Sequence, residues 1–540
     1  MSNATKARHP SGLYVLFFTE MWERFGFYLM LGILFLYMTG GLQDGGLGFD
    51  KSKANDIYGT YIALVYLTPF IGGLLADRIF GYRKTIIFGG ALMGAGYLTL
   101  ALPGQGPFYL ALGLIIAGNG FFKPNISTLL GNLYNKDDLK ELKDSAYNFF
   151  YMGINIGAFV CNFVAAYMRN NYGWGWAFGA AGVGMFIGLV IFILNTRHVK
   201  EADIVKPRNA EDMPTGKIFA TIFIPAIVFA VIGCFLPGLF GQDNFLGSMS
   251  NDAFIFACIP IAYYYLSLYL QASTEDKKPI GALLYIFSVV VIFWAIFHQN
   301  GNVLTDWAES NTAREAPAAM ESMLNEFGFA ETVDAKPTTN AEGKEEVNKY
   351  LLNLPKDQWP AEGASLSLIN TELFQSLNPL FVVVFTPLLV TLLLSLKAKG
   401  REPSTPGKIA LGLFITGLST LVMIAAVGVS GNGADKVSAM WLITTYAVIT
   451  IGELLLSPMG LSLVSKLSPS RLTALMMGGW FLSTSIGNKL SGVLGHLGAE
   501  SDDKSHVFWI NFGGAMFSAL LLFIFVKRIR EVVRDKTGHD

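Results

Sequence analysis

The chain has 540 residues, of which 52% are hydrophobic and only 15% are charged. Soluble domains carry about 25% charged residues, so this composition excludes an ordinary soluble globular protein. The 39 basic and 40 acidic residues give a net charge of -1, which argues against a nucleic-acid-binding protein with a basic face. The three cysteines lie in apolar stretches, a pattern that favours buried inert thiols over a disulfide framework or a zinc site.

Apolar segments long enough to cross a bilayer recur from residue 13 almost to the end of the chain. A membrane helix needs about 20 mostly apolar residues. About fourteen segments qualify, with approximate limits 13–39, 54–76, 85–102, 107–133, 146–168, 175–195, 217–238, 252–271, 280–300, 374–396, 408–429, 438–464, 473–496 and 506–526. Because they lack the alternation of barrel strands, we predict an all-α polytopic membrane protein. The first segment is too long for a signal-peptide core and carries charged residues, so we expect it to be retained.

Basic residues are distributed unevenly between the two sets of connecting segments. If the amino terminus is inside, 26 of the 39 lysine and arginine residues lie in inward segments, 10 lie in outward segments and three lie within helices. Positively charged loops tend to stay on the cytoplasmic side of a membrane. We therefore predict that both termini are cytoplasmic.

Two polar stretches interrupt the series of apolar segments. Residues 196–215 carry charges of both signs and two prolines, which predicts a cytoplasmic linker. Residues 302–372 lie on the predicted outer side and include weakly amphipathic pieces at 316–329 and 344–353. They could form a small folded cap or a flexible loop, and we expect a partly ordered segment without a functional role.

Ionisable residues inside membrane helices are costly unless they are paired or hydrated, so each is a candidate for function. Six residues of this kind are Glu20, Glu23, Arg24, Lys123, His298 and Glu453. The first three share one helical face with Tyr28, and that face must contact protein or water. Lys489 lies nearer the outer end of its segment, and we expect its side chain to extend to the interface.

Two acids around one arginine leave an unbalanced charge on the first helix. If an anionic ligand group bound Arg24, the released partner, Glu20 or Glu23, would be easier to protonate, and ligand binding would be linked to proton binding. The alternative is a buried ion pair that only holds helices together.

Lysine, glutamate and histidine side chains occupy three further segments. Lys123 precedes a helix-loosening proline, and Glu453 lies mid-segment, where an isolated carboxylate could receive an ammonium group. A lysine at the interface and a structural carboxylate are the alternatives. His298 follows Trp294 by one turn; a lone histidine is more often a hydrogen-bonded structural group, yet an ordinary pKa of about 6.5 suits a proton carrier.

Five motifs, in order along the chain, resemble signatures of the proton-dependent oligopeptide transporter family, a branch of the major facilitator superfamily. They are EMWERF at 20–25, FFKPNIS at 121–127, FYMGINIGAF at 150–159, LNPLF at 377–381 and GELLLSPMGLSLVSKLSP at 452–469. GGLLADRIFGYRK at 72–84 is similar to the loop between the second and third helices of that superfamily. The resemblance runs from about residue 12 to 530 and leaves 302–372 outside it.

The resemblance implies the major facilitator fold, with two six-helix bundles and a substrate site between them near the midplane. The implied domains are an amino-terminal bundle at 1–195, a linker with two additional helices at 196–278, and a carboxy-terminal bundle at 279–540 with the outer insertion 302–372. Bacterial members carry two additional helices, here 217–238 and 252–271. A bacterial inner membrane and a monomeric functional unit are expected.

The function implied is proton-coupled symport of di- and tripeptides by alternating access, with protons as the coupling ion and no other cofactor, metal or catalytic group. Proton coupling would involve Glu20, Glu23, Arg24 and His298. The residues that would bind substrate are Arg24, Tyr28, Tyr66, Lys123, Asn155, Trp294, Asn378, Glu453, Trp480 and Thr484. Arg24 and Lys123 would hold the peptide carboxylate, Glu453 would take the amino terminus with the two asparagines, and the aromatic residues would form walls. A purely structural role for Thr484 is about equally compatible with the sequence.

One position departs from the family pattern. The family commonly has a carboxylate one turn after the tryptophan, paired with the lysine that corresponds to Lys123, whereas this chain has His298. A protonated histidine would repel Lys123, so the usual salt bridge cannot form. His298 is either neutral and hydrogen-bonded or replaces the carboxylate as the titrating partner, and the family context favours the second reading.

Other functions remain as alternatives. A carrier of another small solute, such as an amino acid, nitrate or a peptide-like drug, would fit the same fold, although nitrate would have no use for Glu453. An enzyme should show a nucleophile with its base or a metal cluster, and a receptor should have a sizeable cytoplasmic module. The sequence indicates neither.

Overall fold

A computed structural model describes residues 8–136, 139, 142–204, 214–339, 345–469 and 472–537. The first six helices form the amino-terminal bundle: α1 (Ser11–Thr39), α2 (Lys51–Leu75), α3 (Tyr82–Leu100), α4 (Gln105–Leu133), α5 (Lys143–Tyr172) and α6 (Trp174–Leu194). Asp50 begins α2 by accepting a hydrogen bond from the Lys53 N–H at 2.8 Å. Gly173, with a φ of 92°, makes the abrupt turn between α5 and α6.

The linker begins with two 3₁₀ turns, Thr196–His198 and Lys200–Ala202. Asp203 then accepts the N–H groups of Tyr82 and Arg83 at 2.7 and 3.3 Å and the Arg83 guanidinium at 2.8 Å. The carboxylate thus satisfies free N–H groups at the start of α3, where a helix favours a negative charge. The rest of the predicted linker, 205–213, lies outside the described residues. So do Lys6, Lys140 and Arg471, three of the 26 basic residues counted in inward segments.

Two additional helices follow. A short α7 (Thr215–Ile218) continues through a π-helical turn (Phe219–Phe223) into α8 (Ile224–Leu239), and α9 (Met249–Leu270) packs against α8. Large apolar side chains such as Phe235 and Tyr263 are exposed on this pair. Such faces are suited to lipid contact.

The next long helix, α10 (Thr274–Phe297), leads into the insertion through a 3₁₀ turn, His298–Gly301. The insertion contains α11 (Val303–Asn311), β1 (Thr312–Ala313), α12 (Glu321–Glu326), β2 (Ala330–Val333), β3 (Thr338–Thr339), β4 (Glu345–Glu346) and β5 (Leu366–Ile369). The strands β2 and β5 pair in antiparallel register from Ala330↔Ile369 to Val333↔Leu366, and β3 pairs with β4.

Much of the insertion is ordered. Buried Val333, Tyr350, Leu351 and Leu368 form a small apolar core of its own. The amphipathic pieces predicted at 316–329 and 344–353 contain α12 and the 3₁₀ turn Lys349–Asn353. The expectation of a partly ordered segment therefore agrees with the described residues, which leave out 340–344.

The remaining helices are α13 (Leu377–Ala398), α14 (Thr405–Val429), α15 (Met440–Leu467), α16 (Thr473–Glu500) and α17 (His506–Thr537), with β6 (Val437–Ser438) parallel to β1. With α7 and α8 counted together, the described residues form fourteen long helical segments, the number predicted. Nine of the described segments are long and apolar enough to cross a membrane by length and composition alone. The chain is thus an all-α polytopic membrane protein.

Apolar packing follows the two bundles. One large buried cluster contains only residues between Leu13 and Ala202, and a second contains only residues between Ile218 and Val533. The domain limits at 195 and 278 stay a prediction. We call the end of the bundles that carries the insertion the insertion end.

Candidate functional site

A charged cluster is buried on α1. Glu20, Glu23 and Arg24 are each at most 3% exposed. Arg24 donates to both carboxylate oxygens of Glu23, through Nε to Oε2 and through Nη2 to Oε1 at 2.5 Å, and its Nε lies 3.5 Å from Glu20 Oε1. Within the described residues Glu20 Oε2 is buried without a hydrogen-bond partner. Glu20 is therefore the excess acid of the cluster.

Arg24 has a further partner, Asn119, that was not predicted from the sequence. Arg24 Nη2 lies 3.4 Å from Asn119 Oδ1 on α4, and the Asn119 amide donates to the Val65 carbonyl on α2 at 2.8 Å. Asn119 is fully buried. Its place four residues before Lys123, between two glycines, is the signal that could have identified it.

Tyr66 lies between Lys123 and His298. The Lys123 ammonium is 4.1 Å from the centre of the Tyr66 ring, and the His298 ring meets the same tyrosine edge-on at 5.5 Å. Lys123 forms no ion pair among the described residues, whereas His298 Nδ1 lies 3.2 Å from the Trp294 carbonyl oxygen. His298 stands at the end of α10, in the 3₁₀ turn, rather than inside the predicted helix.

Aromatic side chains extend the site into the second bundle. Trp294 and Trp480 are edge-on with ring centres 6.4 Å apart, and both are buried. A Cβ at Gly460 would stand 1.9 Å from the Trp480 ring, so only glycine leaves room for it. The Thr484 hydroxyl donates to the Trp480 carbonyl at 3.2 Å, which is the structural contact that the sequence left open.

The acidic part of the site joins α13 and α15. The Asn378 amide donates to Glu453 Oε2 at 2.8 Å and lies 3.0 Å from Thr450 Oγ1. Asn155, also expected near Glu453, donates instead to the Tyr151 carbonyl of its own helix at 2.9 Å, and its described contacts include no bond to Glu453. The structure thus pairs Asn378, and not Asn155, with the glutamate.

The expectation for Lys489 is wrong. The residue is 2% exposed, and its ammonium binds Asp56 at 2.8 Å, Thr60 at 2.6 Å and Ser250 at 2.6 Å. The segment end at which Lys489 lies faces α2 and α9 rather than the interface. A lysine with three oxygen partners has no reason to extend to solvent.

The architecture defines a class of protein. Two helical bundles pack against each other, and between them basic groups of the first bundle and an acidic group of the second flank a row of aromatic rings. This is the arrangement of a transporter with the major facilitator fold, whose substrate site lies between the two halves.

Comparison with known proteins gives the family. A family model described as the POT family matches residues 83–325 and 365–510. The Uncharacterized transporter YclF of Bacillus subtilis is 32% identical over 521 residues, covering 96% of this chain and 94% of the relative. A Di-/tripeptide transporter of Lactococcus lactis subsp. cremoris is 31% identical over 532 residues, covering 97% of each chain.

A solved structure agrees in fold. The crystal structure of a mutant of the peptide transporter POT in complex with alafosfalin has a TM-score of 0.74 and 31% identity, and the alignment covers 97% of this chain and 96% of that one. The chain belongs to the POT family, as the sequence motifs indicated. The family match reaches residue 325, so the first part of the insertion lies within it.

Proposed function

We propose that this protein is a proton-coupled symporter that imports di- and tripeptides by alternating access. One observation carries the proposal: opposite charges face the site from different bundles. Lys123 and Arg24 belong to the first bundle, and Glu453 with its partner Asn378 belongs to the second. A zwitterion of limited length would bridge them, while a free amino acid would leave one end unpaired.

The peptide ends would be held by different means. Lys123 contacts the face of Tyr66 and has no described ion pair, so its ammonium is available to the peptide carboxylate. Arg24 would assist from the Glu23 pair. Glu453 would receive the peptide amino group, with Asn378 holding the carboxylate in place. Support comes from relatives named as di- and tripeptide transporters and from the POT structure with alafosfalin.

The pocket walls would be aromatic and unspecific. Tyr28, Tyr66, Trp294 and Trp480 would accept varied side chains through contact area rather than through specific hydrogen bonds. Thr484 would contribute little, because its hydroxyl already donates to its own helix. Asn155 would reach the peptide only after leaving its bond to Tyr151.

Glu20 would carry the coupled proton on the first helix. Glu23 and Arg24 balance each other, whereas Glu20 has a buried oxygen without a partner. A buried carboxyl group without full compensation is less costly when protonated. We expect Glu20→Gln to abolish proton-driven uptake while peptide counterflow continues; proton-driven accumulation by Glu20→Gln would contradict this role.

His298 would take part in coupling through Tyr66, which separates it from Lys123. We expect His298→Ala to abolish proton-driven uptake while leaving peptide counterflow. An unchanged pH dependence of uptake in His298→Ala would remove histidine from the mechanism. Tyr66→Phe is the matched control, because it retains the ring between the two side chains.

The surroundings of the transporter belong to the same proposal. We place it in a bacterial cell membrane with both termini cytoplasmic, so that the insertion end faces outward, and as a monomeric unit that needs no cofactor besides protons. It would have no enzymatic activity and no nucleic-acid partner.

Uptake into proteoliposomes tests the function. A labelled dipeptide should accumulate when a pH gradient is imposed, unlabelled di- and trialanine should compete, and Glu453→Gln should weaken competition by peptides. No accumulation with the gradient and no displacement by alanine peptides would overturn the proposal. Displacement by a free amino acid or nitrate instead would identify a carrier of another small solute.

A further inference from the structure

A polar cluster lies at the insertion end, outside the substrate site, with Lys489 buried and its partners partly exposed. Lys489 of α16 binds Asp56 and Thr60 of α2 and Ser250 of α9 with its three N–H donors. Asp56 Oδ1 also accepts the hydroxyls of Ser250 at 2.6 Å and Ser248 at 2.9 Å. The cluster therefore joins the first bundle, the second bundle and the additional helix pair.

The two serine hydroxyls are directed at Asp56. Ser248 caps α9 by accepting the Asn251 N–H at 3.1 Å, and its own proton is directed to Asp56. Ser250 donates to Asp56 and accepts from Lys489 at once, since a hydroxyl has one donor and two acceptor sites. Both hydroxyls therefore hydrogen-bond directly to the Lys489–Asp56 ion pair.

The helices that carry the ion pair are in backbone contact. A Cβ at Gly59 would stand 2.7 Å from Gly492 Cα, and a Cβ at Gly495 would stand 2.2 Å from the Asn55 side chain. Such contact requires glycine on both helices. Separation of α2 from α16 at the insertion end would leave Lys489 in an apolar helix without its carboxylate, which is costly.

We propose that the first turn of α9 is part of the insertion-end gate, with Ser250 as the residue that positions Lys489 against Asp56 when the gate is closed. The two additional helices thereby act in gating rather than only in lipid contact. This inference rests on the alternating access proposed above. Ser250 does not touch substrate, so it is a positioning residue.

The test measures gate opening by the distance between spin labels. Labels at Lys53→Cys and Asp502→Cys, both exposed at the insertion end, are placed in full-length protein whose three native cysteines have been replaced. Distances are measured in lipid nanodiscs without peptide or pH gradient. The readout is therefore independent of which substrate is carried.

We expect Ser250→Ala to shift the closed-to-open ratio at least about tenfold towards open, because the variant loses the hydrogen bonds of the Ser250 hydroxyl to Asp56 and Lys489. Lys489→Gln should shift it further. In the Lys489→Gln background Ser250→Ala should have a smaller effect than in the wild type, because only the hydrogen bond from Ser250 to Asp56 is left to lose. Ser250→Thr, which retains the hydroxyl, should keep the gate closed.

Ser267→Ala is the matched control on the same helix, because the Ser267 hydroxyl donates only within α9, to the Tyr264 carbonyl at 2.7 Å. Equal effects of Ser250→Ala and Ser267→Ala would overturn the inference. So would an undiminished effect of Ser250→Ala in the Lys489→Gln background. If the distances shift as expected but peptide does not accumulate in proteoliposomes, the proposed substrate is rejected and the gating role of Ser250 stands.

Discussion

Among the contacts that the described residues make between the bundles at the insertion end, two seams are built differently. The first seam is the α2–α16 contact, where Gly59 and Gly492 bring two backbones together beside the ion pair of buried Lys489 with Asp56. The second seam is the contact of α5 with the insertion. It depends on long side chains: Arg169 reaches Glu331 at 3.0 Å and Glu372 at 3.3 Å.

This difference determines which substitutions each seam tolerates. The first has no room for added atoms, because backbone meets backbone. The second borders a cavity of about 1090 Å³ lined in part by Arg169, Glu331 and Lys349, so added volume can be accommodated there. The second seam is instead sensitive to the loss of a charge, since Glu372 is fully buried and has Arg169 as its cation.

The largest expected effect is the loss of charge in the second seam. Arg169→Gln should lower the free energy of unfolding by about 3–5 kcal/mol, because it leaves the buried Glu372 without its cation. Thermal unfolding in detergent measures the loss. The double variant Arg169→Gln/Glu372→Gln should recover most of it, and no recovery would mean that the seam is not limited by charge.

Added volume in the first seam comes next. A Cβ at Gly492 would stand 2.7 Å from the Asn55 carbonyl oxygen, so Gly492→Ala should cost about 1–3 kcal/mol and disfavour the closed gate. Gly498→Ala on the same helix is the control, since its Cβ would meet ordinary contacts from 3.4 Å. Equal unfolding temperatures for the two variants would contradict the comparison.

A smaller effect is expected at the half-exposed part of the second seam. Glu331 pairs with Arg169 and Arg314, and its side chain is 25% exposed. Both arginines keep a second carboxylate, Glu372 and Glu309 respectively. Glu331→Gln should therefore lower the free energy of unfolding by no more than about 1 kcal/mol. A decrease as large as that of Arg169→Gln would show that Glu372 and Glu309 do not compensate for the lost carboxylate.

The smallest effect concerns pH, because Lys436 is partly exposed and solvent screens its interactions. Burial, with nearby Arg314 adding to it, lowers the pKa of Lys436 to about 8 in the folded protein, against about 10.4 in an unfolded chain. Between these values the unfolded state binds more protons, so stability rises as pH increases from about 8 to about 10.4. The rise should be missing from Lys436→Met, as measured by unfolding temperature against pH.

The sequence predicts the helices well, because each needs only a local run of apolar residues. It also places Glu453 and Asn378 in one site, through the family motifs. It fails for Lys489, whose nearest carboxylate, Asp56, is 433 positions away and lies at the edge of a predicted segment. Hydropathy reports that a lysine is unfavourable in lipid but cannot indicate which distant helix supplies its partner.

Asn119 and Asn155 show the same limit at shorter range. Both are amides inside membrane helices, yet one bonds to Arg24 on another helix and the other to its own Tyr151 carbonyl. The choice depends on side-chain direction and helix rotation, which no local pattern determines. The insertion is a further case, since its contacts with α5 involve residues at 328–331 and 370–372 that meet only in the folded chain.

The insertion belongs to the second half of the chain but is fastened to the first, through Arg169 and through Lys349, which donates to the Thr39 carbonyl at 2.7 Å. Residues 326–364, which include Glu331 and Lys349, lie outside the matched family ranges. Substitutions at Glu331 or Lys349 can therefore change how tightly the two halves are held without altering the residues proposed to bind substrate. The strength of the contact between the two halves is thus set by residues separate from the proposed substrate site.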